Sequence, residues 1–385
     1  MITNEQHFAL ADLRRVNADI ESRDITARWQ ERDNIVVRGT SIDVFVETDE
    51  LFISSDRAGH RDNSKIELEL PLNPLIYTLK VERGDMALYD PRGRVDLRLD
   101  SGDVTVEGGS GALTVTNGRG NVDVETYSGD VTVNSGSGDR NLIDIDGDLA
   151  VRAGKGDTRI ERGRGNATIA NASGDLRISQ RDTPELTVAQ ASGDVIIRGG
   201  RLGKTLIETA SGDITCSAAL SITTYDLTAS SGDMTMSVQR DLPARVDAAT
   251  TRGSIETDLP LVAIPQRGPR NPHGKRVVGS TSDAAERAEI TMRTTSGDIS
   301  LKWSNEPVPF APPPAANPSP SEPIPVPAPA PATPRDENPV PQDLQDDDRR
   351  RVILAALADG SLSVEEAAQL LDAMGGSGNQ ANGGR

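Results

Sequence analysis

From residue 101 onward the chain alternates apolar and polar residues in short bursts, each opened by a glycine. Val104 and Val106, Leu113 and Val115, Val122 and Val124, and Val131 and Val133 stand two and four places after Gly102, Gly111, Gly120 and Gly129. Leu176 and Ile178, Val195 and Ile197, Ile214 and Cys216, Met234 and Met236, and Ile299 and Leu301 hold the same places after later glycines. The residues between them are mostly polar, often Thr or Arg. Alternation of this kind behind a turn residue predicts a half-buried strand. Glycine supplies the positive φ of the turn, and the Asp or Asn that often follows is expected to bond the backbone amides of its own turn.

The spacing of these bursts sets the architecture. Nine glycines from Gly102 to Gly174 follow one another at intervals of nine, and the register continues through Gly193, Gly212, Gly232, Gly253 and Gly297. Many sit in the tripeptide Ser-Gly-Asp, as at Ser101-Gly102-Asp103 and Ser173-Gly174-Asp175. Val188, Ile207, Leu227, Ala248 and Met292 each lie five residues before such a glycine and mark a second strand. A full coil is therefore two strands and two corners in about nineteen residues. No such unit buries its apolar face alone, but stacked coils share a core. The expected fold is all-β: a narrow β-solenoid (β-helix) rising roughly 4.8 Å per coil. An up-and-down barrel or sandwich would need hairpin loops of uneven length, which equal intervals disfavour.

The flanks read differently. Residues 1–13 are weakly patterned and suit a terminal segment or cap. Residues 14–100 form irregular N-terminal coils, with Trp29 and Phe45 expected in the core. Residues 101–304 are the regular solenoid, interrupted by an inserted loop at 260–289 and closed by Ile290 to Trp303. That loop concentrates cations, Arg267, Arg270, Lys275 and Arg276 with His273, on an acidic chain. Loops on repeat scaffolds often carry binding, so an anionic ligand is expected there. Residues 305–343 are a Pro/Ala-rich linker that can neither pack a core nor join a ladder. Residues 344–375 predict a small α-hairpin. Leu357 lies on the first helix, Gly360 stops it, Ser363-Val364-Glu365-Glu366 caps the second, and Leu370 and Leu371 lie on its apolar face. So short a hairpin needs a docking partner or a second copy. The remaining tail, 376–385, is Gly/Asn-rich.

Composition narrows the function. Among 385 residues the net charge is −18, which repels phosphate backbones and argues against nucleic acid as a partner. Aromatics make up 3%, as a thin aliphatic interior would require. Cys216 is the lone cysteine, so no disulfide forms within the chain, and it reads as a small buried hydrophobe. No signal peptide or membrane span is legible, so a cytoplasmic location is expected. The three histidines, His7, His60 and His273, are far apart, and neither a metal-ligand spacing nor a phosphate loop is present. The chain is expected not to be an enzyme and to need no cofactor. The calcium-binding nonapeptide places its Asp two residues after a glycine, whereas here Asp follows directly, so the corner acids should serve the turns.

These coils resemble a bacterial β-strand-repeat family, a domain of unknown function with a provisional adhesin label. The resemblance covers residues 15 to 303. The segment from Arg350 to Met374 is similar to the short SHOCT-like helical modules, and that similarity implies oligomerisation or partner docking. The expected function is a scaffold for protein interaction in bacterial envelope or stress signalling. The alternative is a surface adhesin for glycan or anionic polymer.

Overall fold

The structure is a computed structural model that describes residues 4–10, 13–55, 65–73, 75–263 and 274–304. The described residues form strands and no helix. One continuous sheet winds into two parallel ladders that run along one axis and share one core, as the repeat predicts. Arg92–Ser101 lies beside Ser110–Arg119 in the first ladder, and Val104–Glu107 lies beside Val122–Ser128 in the second, both pairs parallel. Most coils contribute a separate strand to each ladder, while Val195–Ser211 runs through both. The described residues form an all-β solenoid of two-strand coils.

Register explains why the pattern is so regular. Val104 pairs with Val122, Leu113 with Val131 and Leu142 with Ile160, so like side chains stack on like. Val104, Val122 and Ile214 are fully buried, and Ile178 is nearly so. The coil is shorter than nineteen residues at first. Val104 and Val122 pair across 18 residues, Leu176 and Val195 across 19, and Ile214 and Met234 across 20. Extra residues are absorbed at corners and in a bulge between Arg198 and Arg201, which leaves the inward residues in their files.

The alternate glycines of the nine-residue series belong to different corners. Gly102, Gly120, Gly138, Gly156 and Gly174 line up at one corner, and Gly111, Gly129, Gly147 and Gly165 at the other. A Cβ at Gly138 would lie 2.0 Å from the Gly120 carbonyl oxygen one coil below. The close approach therefore excludes every side chain, beyond the φ of +120° that already favours glycine.

Both ends are wound out of sequence order. At the N-terminal end, Arg15–Ser22 sits between Glu50–Ser55 and Ile76–Arg83. At the C-terminal end, Ala288–Ser296 sits between Thr224–Ser231 and Ala244–Arg252, and Ile299–Ser304 sits between Met234–Gln239 and Ile255–Thr257. The segment from Ile290 to Trp303 is thus an inner coil, and it does not close the stack. The coil before it steps one place outward, and the returning chain fills the slot, where Ile290, Met292, Ile299 and Leu301 find apolar files on both sides.

Antiparallel strands cover the extremities. Asn34–Gly39 runs against Ile66–Pro71, Ile42–Glu47 against Glu50–Ser55, and Lys275–Ser280 against Ala244–Arg252. Trp29 is buried and meets the Tyr77 ring edge-on at 5.0 Å. Phe45, expected in the core, is 50% exposed instead. It lies on the outward side of an edge strand, where it stacks on Phe52 at 5.3 Å.

Candidate binding surfaces

The Ser-Gly-Asp corner is built from the acid upward. The amide of Asp157 donates to Asp139 Oδ1 at 2.9 Å, and the amide of Asp175 donates to Asp157 Oδ1 at 2.9 Å. The same bond links Asp24, Asp85, Asp103, Asn121 and Asp139 below, and Asp194, Asp213, Asp233, Asp298 and Ser254 above. Each acid therefore caps the next coil's turn rather than its own, which corrects the sequence expectation. The reason is geometric: with glycine beside it, the corner packs so closely on its neighbour that the nearest free amide is one rung away. An amide on every carboxylate offsets the repulsion along the file. Where the file ends, the Ser254 amide and hydroxyl hold the Asp298 carboxyl below its ordinary range. Among the described residues no group of three or more acids, histidines or cysteines is placed to hold a metal ion.

Inside this corner the glycine carbonyls point at the core and need donors. Asn117 Nδ2 donates to Gly102 O at 3.0 Å, Gln190 Nε2 to Gly174 O at 2.9 Å, and Thr250 Oγ1 to Gly297 O at 2.9 Å. Arg140 does the same with a charge. It is fully buried, donating to Gly138 O at 2.6 Å, to Lys155 O at 3.0 Å and to Gly156 O. Arg181 serves the other corner, donating to Ile145 O at 2.7 Å, Gly147 O at 2.9 Å and Arg164 O at 3.1 Å. Burial pulls the Arg181 guanidinium down to about 10 and lowers Arg140 as well. These two clips were missed in the sequence, although Arg140 stands where the repeat places an apolar residue, two after Gly138.

Outside the same corner lies a shallow trough of about 730 Å³. Gly118, Gly136, Gly154 and Ala172 form its floor, with Thr116, Asn134 and Arg152 beside them. Its sequence signal was available: Gly118, Gly136 and Gly154 each stand two residues before a corner glycine, at intervals of 18. Small residues on successive coils leave a channel along the axis.

The loop cations fare differently from one another. Arg276 lies on the Lys275–Ser280 strand and donates to both oxygens of Asp247, at 2.7 and 2.6 Å, and the pair holds the Asp247 carboxyl low. Lys275 is exposed beside it. Arg267 and Arg270 lie outside the described residues, as do Leu357, Leu370 and Leu371 with the whole predicted hairpin and linker. The structure therefore brings together Lys275 and Arg276 alone of the seven expected site residues. It also uses Arg276 internally.

Among curated proteins none matches this chain. Solved structures similar to it include the following. A protein from Bacteroides fragilis, provisionally named an adhesin, shares 12% identity over 79% of this chain and 97% of its own, with a TM-score of 0.25. One from Clostridium sporogenes, provisionally named a cell adhesion protein, shares 8% over 79% and 100%, with a TM-score of 0.15. A third, from Parabacteroides merdae and also provisionally named an adhesin, shares 11% over 54% and 96%, with a TM-score of 0.20. Superpositions this loose carry no functional argument. The model of the Toastrack DUF4097 family matches residues 15–302, from the first inward strand to the last, and the chain belongs to that family.

Proposed function

We propose that this protein is a non-enzymatic β-solenoid scaffold for protein interaction, with the SHOCT-like C-terminal segment as its docking or self-association module. The observation that carries the reading is the corner file running unbroken from Asp24 to Ser254, bonded coil to coil at 2.7–3.1 Å. Such a file gives a stiff body whose outward residues repeat at a fixed rise, which suits display of a surface more than closure around a reacting group. The setting is bacterial envelope or stress signalling, on the similarity of residues 350–374 to modules of that kind, and the contacts fall to Leu357, Leu370 and Leu371. Deleting residues 344–385 is expected to lower oligomer mass in light scattering, or partner capture in a pull-down, while the thermal melt of the coils stays put. Unchanged mass and unchanged capture overturn the proposal.

A second reading, an adhesin for glycan or anionic polymer, draws on Lys275, which is exposed on the Lys275–Ser280 strand. Cell fractionation separates the two, since a strictly cytosolic protein excludes adhesion. Among the described residues no helix is long and apolar enough to cross a membrane.

A further inference from the structure

We infer that the free edge of the Ile42–Glu47 strand receives an added β-strand from a partner whose sequence alternates apolar and cationic residues. This surface goes beyond the scaffold reading and does not involve the C-terminal segment.

A terminal strand shows one row of unpaired N–H and C=O groups, and proteins normally blunt such rows by shortness or charge. The other extremities follow that rule. Ile255–Thr257 has three residues and Val262–Ala263 two. Asn4–Ala9 carries Glu5 and His7, which pair with each other at 3.0 Å, while Arg38 donates to Glu5 at 3.0 Å. Ile42–Glu47 is blunted less, because its charges, Asp43 and Glu47, flank exposed apolar residues. It has six residues, pairs with Glu50–Ser55 on one side, and among the described residues has no strand on the other. Phe45 is 50% exposed and Val46 49%.

The side chains define what would pair there. Successive residues of a strand point to opposite faces. On the core side stand Ile42, Val44 and Val46, so an added strand meets an apolar file that stops short at the edge. On the outer side stand Asp43, Phe45 and Glu47. Asp43 and Glu47 are exposed, and among the described residues neither has a cationic partner. Opposite charges on adjacent strands attract, and an aromatic face between them accepts a cation as well. The complement is a strand with Val or Ile toward the core and Lys or Arg outward. A second copy of this chain suits the edge less well, because it brings Asp43 and Glu47 against their own kind on a chain of net charge −18. Strand addition of this type takes its affinity from main-chain hydrogen bonds and its specificity from alternate side chains.

The test uses the full chain and a labelled peptide, Lys-Val-Thr-Val-Lys-Val-Arg, followed by fluorescence anisotropy. Saturable binding is expected. Methylating the alternate peptide amides that face the edge should weaken it at least about tenfold, because ladder bonds are lost while charge is kept. In the protein, Val44→Pro should do the same. The double variant D43N/E47Q should weaken binding several-fold and flatten its salt dependence. Equal affinity for the methylated peptide would mean simple attraction to an acidic protein, and it overturns the inference, as does absence of binding. Sedimentation of the chain alone provides the other check. A dimer that Val46→Lys dissolves would assign the edge to a second copy and overturn the partner strand.

Discussion

At the scale of single residues, two kinds of glycine do different work. At Gly138 the limit is space, because an alanine Cβ would fall 2.0 Å from Gly120 O. At Gly199 the limit is conformation alone, since φ is +64° and the nearest atom to an added Cβ is 3.6 Å away. Along the Gly199 file, Asp144, Arg162 and Gln180 adopt the same left-handed turn with φ of 53°, 58° and 55°. Gly138→Ala should therefore cost about 3 kcal/mol or more, and Gly199→Asn less than about 1 kcal/mol, as read from urea midpoints. The buried arginines make a second contrast. Arg181→Leu keeps the volume but removes the guanidinium donor from the Ile145 and Gly147 carbonyls and leaves the Arg164 carbonyl with the Gly147 amide alone. The expected loss is about 2–4 kcal/mol, larger than for a surface arginine such as Arg159.

At the scale of elements, the N-terminal cap is held by charge as well as by ladders. Glu69 lies between Arg38 and Arg32 and joins the Ile66–Pro71 and Asn34–Gly39 strands. The Arg38 guanidinium, helped by Arg32, keeps the Glu69 carboxyl below its ordinary value of 4.5. A carboxyl depressed in the folded state stabilises fully above its unfolded value and loses that stabilisation as pH falls through the folded one. Asp247 beside Arg276 and Asp144 beside Arg162 act in the same sense from an ordinary value of 3.8. The melting temperature should be level between about pH 6 and 8 and fall below about pH 4.5. Glu69→Gln should lower it at neutral pH and remove part of the acid slope, as read by circular dichroism melts.

At the scale of the whole molecule, the order of coils along the axis departs from the order of the chain. The coil 288–304 carries Ile290, Met292, Ile299 and Leu301 into the stack, and it pairs on both sides. In a repeat protein stability is a sum of coils and the interfaces between them. Ending the chain at residue 287 removes one coil and two interfaces and strands the coil 244–257. Loss of cooperative unfolding for that end is expected, measured by hydrogen exchange at Ile255–Thr257 and Ala244–Arg252. Ending the chain at residue 304 should leave exchange there unchanged.

Much of this was legible before any fold was known. Val104, Val122 and Ile214 announced their inward files because a strand's period of two and a coil's fixed length leave one face for the core. The glycine interval revealed the corners because close stacking admits no side chain there. What the string of residues could not express was contact between distant turns. That Asp157 caps the turn of Asp175, that Arg140 replaces a valine to feed inward carbonyls, and that Phe45 stands outside all depend on which coil lies next. The slot taken by residues 288–304 is the clearest case: identical coil signatures fit any position in the stack. Local pattern thus determined the shape of each regular rung, while their order and their neighbours were decided by the assembled ladder, where a strand settles beside whichever free edge completes its hydrogen bonds and covers its apolar file.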